Sequence, residues 1–191
     1  FQYFITTFSN ATQPTTYTLN DAKNGKEIQV IENNEALANK IKAYNLPSKE
    51  FFVLKTEKGN ELNAWILKPK NFDPNKKYPV FMYQYSGPGS QQVNNDWNST
   101  DDYWFMMLTQ QGYIVACVDG RGTGFKGADF KKVTQKELGK YEVEDQIDAA
   151  KVIGNYPFVD KTRIGIFGWS YGGFMASNCI MKGNDIFKMA I

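Results

Sequence analysis

Alternating strand-like and helix-like segments from Glu50 onward predict an α/β domain with a mostly parallel, two-sided sheet, preceded by a short antiparallel meander. Three observations carry that expectation. Tyr113–Val118 is a continuous apolar run, as a strand buried on both faces requires. Helical spacing recurs between such runs, with Val143, Ile147 and Ala150 on one stripe. Residues 1–32 instead break into short runs separated by turn-forming residues.

The elements follow in order. Gln2–Phe8 and Thr15–Leu19 are strands flanking the turn-rich Ser9–Pro14, and Asn20–Gly25 turns the chain into Glu27–Ile31. In that last run Ile28 and Val30 alternate with Glu27 and Gln29, which predicts a half-buried strand. Asn33–Tyr44 is a connecting helix, with Leu37, Ile41 and Tyr44 at helical spacing, Asn33 or Asn34 as cap and Pro47 beyond its end. Phe51–Thr56 and Leu62–Lys68 pair as a hairpin across Glu57-Lys58-Gly59-Asn60. Tyr78–Tyr85 is a strand whose Pro79 sits near its start, where no ladder donor is needed. Asp101–Gln111 is a helix capped by Ser99 or Thr100 and stopped by Gly112. Glu142–Ile153 and Tyr171–Lys182 are helices around the strand Arg163–Phe167. The closing run Ile186–Ile191 reads as another strand beginning, so the expectation is a domain cut short after the Tyr171–Lys182 helix.

Composition narrows the chemistry. Of 191 residues, 22 are Lys or Arg and 20 are Asp or Glu, a net charge of +2 with no block of one sign. Nothing there favours nucleic acid or a membrane surface as partner. Cys117 and Cys179, the two cysteines, are too few for a disulfide framework and read as small buried apolar residues. Histidine is absent, which removes His-ligated metal sites and any complete Ser-His-Asp triad within these residues.

One motif carries chemistry. Gly168-Trp169-Ser170-Tyr171-Gly172-Gly173 lies between a strand and a helix, the context in which G-x-S-x-G is a nucleophile elbow. The turn is tight enough that a Cβ at 168 or 172 would collide with backbone, and Ser170 is held strained with its Oγ projecting. The helix N-terminus beneath offers free N–H groups to a developing oxyanion. Tyr85-Ser86-Gly87-Pro88-Gly89-Ser90 follows the third strand of the α/β domain, where such hydrolases build the other half of the oxyanion hole. A phenol at Tyr85 could donate there beside the Tyr171 N–H. A glycine-rich strand-to-helix turn with an incidental serine, and an ordinary strand-end tyrosine, remain the alternatives.

Taken together, GWSYGG at Gly168–Gly173, YSGPGSQQ at Tyr85–Gln92, DGRGTG at Asp119–Gly124 and YEVEDQIDAA at Tyr141–Ala150 resemble the prolyl oligopeptidase family of serine peptidases, in its dipeptidyl peptidase branch. The resemblance runs essentially the length of the chain. It implies an α/β-hydrolase fold, truncated after the nucleophile helix, preceded by the last antiparallel strands of a β-propeller. Residues 1–49 would then be propeller end and connector helix, and 50–191 the first part of the catalytic domain. It implies Ser170 as nucleophile, the Tyr85 hydroxyl and the Tyr171 N–H as oxyanion donors, and the Tyr171 ring as a wall of the substrate pocket. Gly168, Gly172 and Gly173 would be the elbow glycines. Substrates would be peptides with a free N-terminus and Pro or Ala in second position, cleaved without metal or organic cofactor. The family's acid and histidine follow the serine, and here only Asp185 does so, too close to reach across the site. These residues alone are therefore expected to be inactive. The resemblance also implies a homodimer and an exported protein.

Other readings are weighed against it. Gly122-Thr123-Gly124-Phe125-Lys126-Gly127 matches a dinucleotide-binding fingerprint, but Asp119-Gly120-Arg121 separate it from the strand and no apolar-striped helix follows. A glycine-rich loop pinned by an Asp119 or Arg121 ion pair is the plainer expectation. A relative that binds without catalysis is disfavoured by the joint presence of Ser170, its glycines and Tyr85, and another α/β-hydrolase esterase is a remoter alternative. Asn10-Ala11-Thr12 and Asn98-Ser99-Thr100 match a glycosylation tripeptide that is common by chance. Glu142, Glu144, Asp145 and Asp148 read as a solvated helix face rather than a metal cluster.

Overall fold

The computed structural model describes residues 1–97 and 99–191, with the backbone alone for Ser99 and Thr100. They form two compact units, one made of Phe1–Ser48 with Asn94–Tyr103, the other of Lys49–Val93 with Trp104–Ile191. The side-chain caps expected at Ser99 or Thr100, and the tripeptide beginning at Asn98, lie outside the described residues.

In the first unit β1 (Tyr3–Asn10), β2 (Gln13–Asp21) and β3 (Glu27–Glu32) form an antiparallel meander in that order. Side chains close its turns. Asn10 Oδ1 accepts from the Thr12 N–H at 2.9 Å, and Asp21 Oδ1 accepts from the Lys23 N–H at 2.7 Å. Every residue of β3 is exposed, so the half-buried strand expected from its alternation is not found. The pattern had specified a face, and no apolar layer lies against that face in this unit. Helix α1 (Glu35–Tyr44) follows Asn34 in the left-handed region, and Asn33 Oδ1 accepts the Glu35 N–H at 3.0 Å.

The second unit is a six-stranded mixed sheet. Its strands are β4 (Glu50–Lys55), β5 (Glu61–Leu67), β6 (Tyr78–Tyr83), β7 (Ile114–Asp119), β8 (Val159–Phe167) and β9 (Phe187–Ala190), in spatial order β4-β5-β7-β6-β8-β9. The β4–β5 hairpin and the β5–β7 pair are antiparallel; β7, β6, β8 and β9 run parallel. Leu62, Ala64, Val80, Met82, Ile114, Ala116, Ile164 and Ile166 enter one core with helices α4 (Tyr141–Gly154) and α5 (Tyr171–Lys182). On the other face the last turns of α2 (Ser99–Gln110) bring aromatics onto the sheet. Phe105 lies 4.9 Å from Tyr83 and 5.8 Å from Trp65, and Trp104 lies 5.1 Å from Phe167, ring centre to ring centre. With both faces covered, all six residues of β7 are buried.

Three local expectations are corrected. Strand β8 begins at Val159 because Tyr78 pairs with Val159 across an irregularity that the polar Asp160–Arg163 stretch hides in the sequence. A short helix, α3 (Ala128–Lys132), occupies the segment that had no helical stripe; five residues are too few to show one. On α4, Glu142, Asp145 and Asp148 are buried rather than solvated. Asp145 and Asp148 find partners on distant loops. Arg121 reaches Asp145 through Nε at 3.0 Å and Nη2 at 2.7 Å, and Lys58 lies 3.0 Å from Asp148.

Candidate active site

The topology brings the loops of interest together. Strand β6 lies between β7 and β8, so the chain leaves it toward one side and later returns on the other. The segments after β6, β7 and β8 all emerge at the carboxyl ends of adjacent parallel strands, where open α/β sheets place their ligands. Tyr85, Asp119 and Ser170 sit on or next to those ends.

Ser170 occupies the cap position of α5 with φ 58° and ψ −121°, a conformation that costs a non-glycine residue of order 1–3 kcal/mol. Its carbonyl accepts the Phe174 N–H at 3.1 Å, starting the helix, and its side chain is exposed. The glycines explain how the turn closes. A Cβ at Gly168 would stand 2.5 Å from the Gly172 carbonyl oxygen, and one at Gly172 would stand 2.6 Å from the Gln84 oxygen. Both are backbone atoms that cannot yield. Gly173 is less constrained, its nearest backbone oxygen being 3.2 Å from a built Cβ.

Tyr171, first residue of α5, has an N–H with no acceptor inside the helix, as at every helix start. Its half-buried ring lies 6.3 Å from that of Tyr85 and packs edge-on against Phe174 at 5.7 Å. Its hydroxyl donates to Glu142 Oε1 at 2.8 Å. Burial first, then that carboxylate, raises its pKa well above the ordinary tyrosine value. Tyr85, Ser170 and Tyr171, selected separately in the sequence, thus share one end of the sheet. Trp169 stands beside them, 72% exposed.

Two further residues belong here, Gln84, which sequence reasoning passed over, and Glu142, which it placed on a solvated face. Gln84 is buried, and its Nε2 donates to the Gly172 carbonyl at 2.7 Å, tying the end of β6 to the first turn of α5. Glu142 is fully buried and takes the Gly139 N–H on Oε2 at 3.0 Å as well as the Tyr171 hydroxyl. A polar residue ending an apolar strand, and an acid in a helix's first turn, were the signals available.

In the glycine-rich loop after β7, the amides of the first two fingerprint glycines are occupied. Gly124 N–H bonds the Ser90 carbonyl at 2.8 Å and Gly122 N–H the Phe130 carbonyl at 2.9 Å. Those amides cradle protein, not phosphate, and the helix that follows has only five residues. Arg121 pins the loop through Asp145, while Asp119 braces the Tyr85 loop by accepting the Val93 N–H at 2.8 Å and the Gln92 N–H at 2.9 Å. Burial raises the Asp119 carboxyl to about 6 against those two hydrogen bonds. Cys117 and Cys179 are buried and unpaired by disulfide, and burial pushes the Cys179 thiol up to about 12. Among the described residues no three or more Cys, Asp or Glu side chains gather where they could hold a metal ion. No helix among them is long and apolar enough to cross a membrane.

Residues 98–191 match the family model of the prolyl oligopeptidase family. Dipeptidyl peptidase 4 of Trichophyton equinum is 38% identical over 192 residues, covering 99% of this chain and 24% of that protein. Dipeptidyl peptidase 4 of Arthroderma otae shows the same identity and coverage. The crystal structure of Porphyromonas gingivalis dipeptidyl peptidase 4 superposes with a TM-score of 0.94 at 48% identity, over 98% of this chain and 26% of that one. This chain therefore spans about a quarter of the length of the relatives it matches.

Proposed function

Because this chain belongs to the prolyl oligopeptidase family, we propose that it is the nucleophile-bearing part of a serine exopeptidase that releases N-terminal dipeptides with Pro or Ala in second position. The observation that carries the reading is Ser170, held at φ 58° and ψ −121° above the N-terminus of α5 at the end of a parallel strand. In this reading residues 1–49 are the last strands of a β-propeller and a connector, and 50–191 the first part of an α/β-hydrolase domain.

The mechanism follows from the chemistry of the site. Ser170 Oγ attacks the carbonyl carbon after the substrate's second residue, and the carbonyl oxygen becomes an oxyanion. The Tyr171 N–H and the Tyr85 hydroxyl donate to it, stabilising charge that exists only in the transition state. Collapse expels the amine of the shortened peptide and leaves the dipeptide esterified to Ser170; water then releases it. The Tyr171 ring walls a small apolar pocket that fits the Pro ring and rejects bulkier side chains by shape. A serine hydroxyl needs a neighbouring base, and these 191 residues hold no histidine. The base and its acid are supplied from outside them, so the chain on its own turns nothing over.

The test uses the full-length protein with Gly-Pro and Ala-Pro reporters and a fluorophosphonate label. Ser170→Ala is expected to abolish both turnover and labelling at an unchanged melting temperature. Tyr85→Phe is expected to lower kcat by about 10²–10³-fold, the range for one lost oxyanion donor. Turnover that survives Ser170→Ala would overturn the reading.

A further inference from the structure

Glu142 is a carboxylate with no solvent contact, and both groups bonded to it are neutral. A buried acid is costly unless its oxygens are satisfied, and an apolar residue of similar volume at such a place is often at least as stabilising. This one meets two donors that converge from different elements: the Tyr171 hydroxyl on Oε1 at 2.8 Å and the Gly139 N–H on Oε2 at 3.0 Å. Its place in the first turn of α4 adds the favourable end of the helix dipole. Only a side chain with two acceptors and no donor serves both partners.

The consequence falls on Tyr171. Its ring is fixed edge-on by Phe174 at 5.7 Å and faces Tyr85 at 6.3 Å, while its far end is tied to Glu142. Gly139, the other group held by Glu142, sits against the same Phe174 ring: a Cβ there would be 3.0 Å from Phe174 Cζ. One carboxylate therefore locks the phenol, and the loop that backs the phenylalanine, into a single arrangement. A half-buried ring without that tie could swing about its side-chain torsions.

We propose that Glu142 is a positioning residue for the substrate pocket, fixing the Tyr171 ring and so setting how large a second residue the pocket admits. The inference rests on the reading of Tyr171 as a pocket wall. Glu142 acts through the phenol and touches no substrate atom.

The experiment compares wild type, Glu142→Gln, Tyr171→Phe and the double variant in the full-length protein. kcat and KM are measured for Gly-Pro and Gly-Leu reporters, per site titrated with fluorophosphonate. A Gln at 142 can accept from one partner but turns an NH₂ toward the other. Glu142→Gln is expected to raise KM for Gly-Pro several-fold and to reduce the Pro-over-Leu preference by about tenfold, the scale of small steric changes in an apolar pocket. kcat for Gly-Pro should hold within about twofold. Adding Glu142→Gln to Tyr171→Phe should leave the preference where Tyr171→Phe alone puts it. A purely structural role would lower the number of titratable sites and leave the preference unmoved. An unchanged preference, or equal losses in both backgrounds, overturns the positioning role and leaves the peptidase reading standing. A wild type that cleaves no dipeptide reporter overturns the peptidase reading, and this inference with it.

Discussion

Strands β7 and β3 each have six residues, at least half of them apolar, yet one buries its residues and the other does not. Ile114–Asp119 in β7 is buried at every position, whereas Glu27–Glu32 in β3 is exposed at every position. Strand β7 pairs on both sides, with β5 and β6, and β3 pairs on one side, with β2. The difference lies in cover: β7 has α4 and α5 on one face and the aromatics of α2 on the other, and β3 has no apolar layer in its unit. A strand's own residues decide that it pairs; what packs on it decides whether its side chains contribute stability.

That comparison can be broken at three places. The largest effect is expected in the covered sheet. Ile166→Ala, at a position with no exposure in β8, should cost about 2–5 kcal/mol in urea unfolding. A loss below about 1 kcal/mol there would show a core able to collapse around the change. The second test concerns a charge held in the covered unit. The folded-state pKa of Asp119 lies near 6, above its ordinary value of 3.8, so the folded protein binds more protons than the unfolded chain between those pH values. Stability from this group is therefore full below about pH 4 and falls as pH rises to about 6, by roughly 2–3 kcal/mol. In Asp119→Asn, whose amide oxygen can still accept the Gln92 and Val93 N–H groups, the fall should vanish, so the difference between the two unfolding-versus-pH curves isolates it. A wild type that gained stability over that window relative to the variant would reverse the assignment. The smallest effect belongs to the open sheet. Ile28→Ala, at 51% exposure, should change stability by less than about 0.5 kcal/mol. A cost above 1 kcal/mol would mean that the face is covered in solution.

The site was legible to different depths. The elbow was readable from Gly168, Ser170 and Gly172 because part of their requirement is local: a positive φ at the serine, and no room for a Cβ at 168 against the Gly172 oxygen four residues on. Tyr85 was found by its place after a strand. Glu142 and Asp145 were misread, since an acid near a helix's start looks the same in sequence whether water or a buried donor faces it. What buries them is Tyr171 and Arg121, 29 and 24 residues away. Gln84 was passed over for the same reason, because its partner, the Gly172 carbonyl, lies 88 residues on.

The sequence by itself determined the alternation of strands and helices, the elbow at Ser170 and the lack of any histidine base among these residues. Tertiary structure decided which apolar strands became core, which acids became buried anchors, and that the Tyr85 and Ser170 segments meet at one end of the sheet. The physical reason is range. Backbone conformation and pairing potential are properties of a few adjacent residues, whereas burial and hydrogen-bond partnership depend on atoms that only the folded chain brings near.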